Sequence, residues 1–238
     1  VYLRNAINPM APFFVGAIVV LLLGAYFFYL RFSDKQIPST KPTAVTNPFR
    51  YMPRFFSQPR MMLVYLLCAM RSGWWTMYFI YVPIFCVTVG FGETIGGALV
   101  SLATSFVMAT PLLRGTIQRF GIRRILLLGY CGAGLITLGI GFSMEIPSLA
   151  VTLILLAALF AVLCDSVGNT LFYRAVRSWE RSEMATVFGS YRSISSLTFP
   201  GFYSGVLAIF PLAGVFIFTG FGMLAASWLT RFIPTRMR

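Results

Sequence analysis

Apolar residues in this chain come in long runs, and polar residues are confined to the intervals between them. Seven segments, roughly 10–31, 61–88, 95–113, 125–143, 148–172, 184–208 and 211–231, are long and nearly uncharged. A helix needs about 20 apolar residues to cross the hydrocarbon core of a bilayer. The runs are about twice as long as a barrel strand and do not alternate, so they predict helices rather than strands. The first run is too long for a cleavable leader, and no small-residue cleavage site follows it. The expected fold class is all-α, a polytopic membrane helix bundle.

The intervals are unequal. Most are short, which predicts that successive helices are antiparallel neighbours. The interval 33–60, SDKQIPSTKPTAVTNPFRYMPRFFSQPR, is long and basic and holds five prolines. Such a stretch cannot pack a core; it predicts a cytoplasmic linker with a short interfacial helix around Phe49–Phe56. One helix precedes it and six follow.

Composition agrees with the pattern. Of 238 residues, 58% are hydrophobic and 11% charged, with a mean hydropathy of +0.82, whereas a soluble domain is about a quarter charged. The net charge is +13, and its placement gives the topology. Sixteen of the nineteen basic residues fall in the linker and its rim, in 114–124, at Arg174, Arg177 and Arg181, and at the C-terminus. The alternate intervals, near 89–94, 144–147 and 209–210, hold Glu93 and Glu145 and no basic residue. Positive charge stays on the cytoplasmic side, so the N-terminus is expected outside and the C-terminus inside. Charge clustered between apolar runs, with no recognition motif, excludes a nucleic-acid partner.

Histidine is absent, which removes His-ligated metal sites and His-based catalytic pairs. The four cysteines lie in or beside apolar runs without metal-like spacing and are expected to be small buried hydrophobes. No cofactor, no metal and no catalytic residue is expected. The chain opens on Val1, and an upstream part is expected to be missing.

The interval 114–130, RGTIQRFGIRRILLLGY, lies between the second and third helices after the linker. Glycine at Gly121 permits a positive φ at a sharp reversal, and Arg119, Arg123 and Arg124 can bond helix-end carbonyls and anionic headgroups. The major facilitator superfamily repeats the pattern G-x-L-x-D-R-x-G-R-R-x-x-L at this place in each half. Arg119, Phe120, Gly121, Arg123 and Arg124 follow it; Gln118 replaces its aspartate, Ile122 its first basic residue, and Gly115 falls one place late. Loop, linker and helix count together resemble the second half of such a transporter, with the last helix of the first half attached.

That resemblance implies a seven-span half and four parts. Residues 1–32 are then the last helix of an incomplete N-terminal bundle, 33–60 the linker, 61–231 a six-helix bundle and 232–238 a cytoplasmic tail. It also implies alternating access, with Gln118, Arg119, Gly121, Arg123 and Arg124 as a conformational-switch loop; a plain positive-inside anchor is the other reading.

Three charges lie inside spans. Arg71 sits about ten residues, or about 15 Å, into its helix, where even low scales charge an arginine about 2.5–3.5 kcal/mol. It therefore faces a wet cavity or a partner. Trp74, Tyr78 and Tyr81 can share its face, which points to an anionic or aromatic solute; a structural arginine held by carbonyls is the alternative. Pro83 would kink this helix and free a carbonyl. Asp165 and Asn169, four apart, share a helical face. Asp165 and Arg192 reach similar depth on antiparallel helices, so an intramembrane Asp165–Arg192 ion pair is expected. A proton or cation site at Asp165 remains open, and the resemblance implies that its helix lines the cavity. Ser182 and Glu183 suit a helix start, and the glycines of GYCGAG (Gly129, Gly132, Gly134) suit close helix contact.

The function these residues lead to expect is transport of a small solute by a secondary, ion-coupled carrier, with a proton as the candidate coupling ion. Export of an amphipathic or anionic compound is the first expectation. Its substrate and translocation face comprises Arg71, Trp74, Tyr78, Tyr81, Asp165 and Asn169. The other partners expected are anionic lipids at the cytoplasmic face and the missing N-terminal half. The membrane is a plasma membrane or bacterial inner membrane. A seven-helix receptor or sensor is the alternative, and a membrane enzyme a third.

Overall fold

Proline and glycine set the ends of the helices. A computed structural model describes residues 10–30, 51–177 and 180–234. Most of the expected linker and the last four residues lie outside the described residues. The chain divides into two units, Val1–Thr46 and Asn47–Arg238. The first holds α1, Ala11–Tyr29, with proline in its first turn, where the missing N–H is no loss. It is apolar on every side, the composition of a membrane span.

The second unit begins with the short α2, Met52–Phe56, inside the expected linker. Its Phe55 is fully buried against Tyr65, so this end of the linker packs into the bundle. Then follow α3 (Pro59–Thr88), α4 (Gly92–Met108), a 3-10 turn (Thr110–Leu113), α5 (Arg114–Phe120) and α6 (Ile122–Phe142). After them come α7 (Pro147–Val167), α8 (Thr170–Ala175), α9 (Arg181–Ile209) and α10 (Leu212–Leu229), which ends in a 3-10 turn. Helix α3 packs on α4, α9 and α10, and α6 packs on α7 and α10. Trp74, Tyr78, Tyr130, Tyr203 and Phe216 fill the core.

Three boundaries differ from the expectation. Residues 114–124 are helical except at Gly121, because arginine, glutamine and isoleucine continue a helix readily. Gly121 alone leaves it, with φ +81°, a conformation that other residues avoid. The run 148–172 is broken at Gly168, with φ +52°. Finally, α9 starts at Arg181 after Glu180, with no side-chain cap. Ser182 thus lies inside the first turn rather than capping it.

Among the described residues, four stretches are long and apolar enough to cross a membrane: Ala11–Tyr29, Ile122–Phe142, Pro147–Ala175 and Leu212–Phe232. A fifth is added if the bent pair Gly92–Met108 and Thr110–Phe120 counts as one span. The two longest helices, α3 and α9, do not pass. Their middles are too polar: Arg71-Ser-Gly-Trp-Trp-Thr76 in α3, and Arg192 among serines in α9.

Close contact between α6 and α10 depends on glycine. A Cβ on Gly220 would lie 2.9 Å from the Gly134 carbonyl oxygen and 2.6 Å from Leu138. Gly220→Val is therefore expected to destabilise the bundle by roughly 1–3 kcal/mol, a fall of roughly 3–10 °C in midpoint. Gly205→Ala, which meets nothing within 4 Å, is expected to leave it unchanged or raised. Thermal unfolding of the purified protein in detergent measures both.

Candidate functional site

Arg71 stands near the middle of α3 and is 8% exposed. Its guanidinium reaches in three directions. Nε lies 3.2 Å from Asp165 Oδ1 on α7. Nη1 donates to the Cys164 carbonyl at 3.4 Å, and Nη2 to the Tyr191 hydroxyl on α9 at 3.3 Å. The other carboxylate oxygen of Asp165 accepts the Trp75 Nε1–H at 2.6 Å. The Tyr191 oxygen also accepts Arg192 Nε at 3.2 Å. One network therefore runs Trp75–Asp165–Arg71–Tyr191–Arg192 and ties α3, α7 and α9 together.

Its charge does not balance. Two guanidiniums meet one carboxylate, leaving one positive charge. Arg192 is exposed although it lies well inside α9, a placement that lipid would penalise. It borders a cleft with two lobes of about 780 and 480 Å³, both lined by Arg71, Trp75, Phe79, Asp165 and Arg192. The larger extends to Thr104, Thr110 and Asn169. The smaller extends to Ser72, Ser193 and Ser196. The cleft thus combines a surplus cation, hydroxyl groups and an aromatic wall. Trp75 and Phe79 stack at 5.4 Å to form that wall. An arrangement of this kind can hold an anion with an apolar body.

A family model described as Major Facilitator Superfamily matches residues 5–200. The chain belongs to the major facilitator superfamily. No curated protein and no solved structure matches it. Membership makes it a multi-pass membrane protein that transports a solute. Members of the superfamily are transporters and as a rule not enzymes, and the receptor alternative finds no support.

Several expected site residues of this superfamily member lie elsewhere. The expected Asp165–Arg192 pair is corrected: Asp165 pairs with Arg71, and no Asp165–Arg192 contact within ion-pair distance occurs among the described residues. Arg71 on α3 reaches the same carboxylate and lies closer. Trp74, Tyr78 and Tyr81 are buried and do not line the cleft. Trp74 Nε1 donates to Thr137 Oγ1, and Tyr81 packs edge-on against Tyr203.

At about 100° per residue, Trp75 and Phe79 fall on one side of Arg71, and Trp74, Tyr78 and Tyr81 on the other. The cleft takes the first side. Asn169 is separated from Asp165 by the break at Gly168, so the assumed continuous helical face does not exist; both residues nonetheless line the larger lobe. Tyr191, Trp75 and Phe79 are among the cleft residues not singled out from the sequence. The i, i+4, i+8 series from Arg71 carried the signal for Trp75 and Phe79. Tyr191 carried none beyond its place beside Arg192.

The switch-loop residues of this family member are divided between two helices. Gln118 and Arg119 belong to α5, and Arg123 and Arg124 open α6 after the Gly121 hinge. Gly121, Arg123 and Arg124 line a separate cavity of about 430 Å³ with Phe120, Leu127 and Arg231. This group is remote from the Arg71 network in sequence and shares no lining residue with the cleft.

Proposed function

We propose that the cleft between α3, α7 and α9 is the solute site of a secondary transporter working by alternating access, and that its solute is an amphipathic anion. The observation that carries this reading is the unbalanced pair of arginines beside one carboxylate in an open, mid-helix cleft. A solute carboxylate or similar group takes the surplus charge of Arg192 and competes with Asp165 for Arg71. The aromatic wall of Trp75 and Phe79 accepts its apolar body. Trp74, Tyr78 and Tyr81 act behind this wall as supports.

Asp165 is the proposed coupling site. When an anion draws Arg71 away, the carboxylate keeps only the Trp75 N–H, and a proton neutralises it. Anion and proton then cross together in an electroneutral step whose direction their combined gradients set; export is the direction we propose.

The topology we propose is seven spans with the N-terminus out and the C-terminus in, completed by a further N-terminal bundle of the same protein. The charge asymmetry of the intervals supports it. In this arrangement Arg119, Arg123 and Arg124 meet anionic lipid headgroups at the cytoplasmic face, each contact worth about 1 kcal/mol. Gly121 then serves as the hinge of the switch loop.

Substitution of Arg192 tests the solute reading. Arg192 touches Tyr191 and the cleft but, among the described residues, no carboxylate within ion-pair distance, so Arg192→Gln leaves the Arg71–Asp165 pair intact. Half-saturation for an anionic solute in proteoliposomes is expected to rise about tenfold, the loss of one charge-assisted contact. Maximal rate is expected to stay within about threefold. An unchanged half-saturation would remove Arg192 from the site.

A further inference from the structure

Among the described residues, the Tyr191 hydroxyl accepts two hydrogen bonds and donates none. Arg71 Nη2 reaches its oxygen at 3.3 Å and Arg192 Nε at 3.2 Å. A phenol oxygen has two lone pairs and one O–H, so the two guanidiniums take up its accepting capacity and leave the proton unused. Tyr191 is only 2% exposed, and a buried donor without a partner is costly. Its ring cannot swing away to find one. Phe188 packs on it at 5.1 Å between centroids, and Tyr65 meets it edge-on at 6.4 Å.

The open side of this donor is defined. Tyr191 lines the smaller lobe of the cleft and is absent from the lining of the larger. Ser72, Ser193 and Ser196 border that smaller lobe, whereas the larger adds Val107, Met108 and Pro111. Two cations on the oxygen also polarise the O–H toward a negatively charged acceptor.

We propose that the Tyr191 hydroxyl donates to an anionic oxygen of the solute, seating the charged head in the smaller lobe and the apolar body in the larger. This rests on the anion reading of the cleft and adds to it a ligand and an orientation. Arginines bordering both lobes attract an anion without deciding which way round it lies. Tyr191 decides it, because its ring is held by packing and its O–H turns only about the C–O bond. The solute class is therefore a compact oxyanion at one end of an apolar body.

The test uses the full-length protein, with 2-naphthoate as the probe and 2-naphthamide as its neutral counterpart, both titrated by calorimetry. Tyr191→Phe keeps the ring and its packing. It is expected to weaken 2-naphthoate by about tenfold, the loss of one hydrogen bond to a charged group, and 2-naphthamide by about threefold or less. Tyr65→Phe is the control: its hydroxyl bonds Ser190 Oγ at 3.0 Å and lies outside the cleft lining. It is expected to change neither affinity by more than about twofold. For the orientation, Ser193→Asp in the smaller lobe is expected to weaken 2-naphthoate at least tenfold, and Thr104→Asp in the larger about threefold or less.

A tyrosine that merely bridges two arginines predicts the opposite sign. Its removal would free both guanidiniums and leave 2-naphthoate binding unchanged or tighter. That result, or equal losses for 2-naphthoate and 2-naphthamide, would overturn the role of Tyr191, and equal losses from the two aspartates would overturn the orientation. A loss in Arg192→Gln without one in Tyr191→Phe would leave the anion reading standing and remove Tyr191 alone. No saturable 2-naphthoate binding by the unaltered protein would defeat the anion reading and this proposal together.

Discussion

Replacing Arg71 with alanine is expected to abolish solute transport while the protein still reaches the membrane. Arg71 is the hub of the network, with partners on α7 and α9 and none that duplicates it. Its loss removes the surplus positive charge of the cleft and leaves Asp165 with the Trp75 N–H and a weakened field. A charge-assisted hydrogen bond contributes about 1.5–3 kcal/mol, so anion affinity alone should fall by about ten- to a hundredfold.

Breaking a fully buried pair costs about 3–5 kcal/mol because a charge is stranded. Here Asp165 keeps 19% of its side chain open to the cleft, so the loss should be smaller. The double variant R71A/D165A is expected to be more stable than R71A alone, with a coupling of about 1–3 kcal/mol. Arg71→Lys retains the charge but cannot reach three partners at once, and is expected to transport poorly. Uptake or efflux in proteoliposomes, scaled to inserted protein, decides the matter; unchanged transport by Arg71→Ala would remove the residue from the site.

Asp165→Asn should have the opposite signature. The amide keeps an acceptor for Trp75 Nε1–H but no longer competes for Arg71. An anionic solute is then expected to bind about tenfold more tightly, since one competing ion pair has gone. Turnover is expected to fall at least tenfold, because the step that returns Arg71 to Asp165 and releases the anion is lost. Proton movement coupled to solute should disappear as well. Solute binding by calorimetry and solute-driven acidification of vesicles read the two effects separately. A variant with normal turnover and normal proton flux would show that Asp165 is only a structural partner of Arg71.

The helices were legible because a bilayer demands long apolar runs, and the linker because five prolines cannot pack. Arg71 and Asp165 were legible for a related reason: a charge inside such a run stands out by its desolvation cost. Their pairing was not. Depth along a helix can be counted from sequence, but direction depends on how α3, α7 and α9 are rotated about their axes, and packing sets that rotation. The same ambiguity placed Trp74, Tyr78 and Tyr81 on the cleft in place of Trp75 and Phe79. The break at Gly168 had a visible signal, since Gly168-Asn169 is a helix-stop pair, but the apolar residues on both sides masked it. Glu180 had none, because its partner Arg54 lies 126 residues away.

The most direct test asks whether the face bearing Arg71, Asp165 and Arg192 is wet. Ser196 lines the cleft, whereas Leu197, the next residue, is 80% exposed and absent from the cleft lining. In the full-length protein with its native cysteines replaced, Ser196→Cys is expected to react with a membrane-impermeant maleimide, and an anionic solute is expected to slow that reaction. Leu197→Cys is expected to stay unlabelled in lipid. Equal reactivity at both positions, or none at either, would contradict a water-filled solute cleft between α3, α7 and α9.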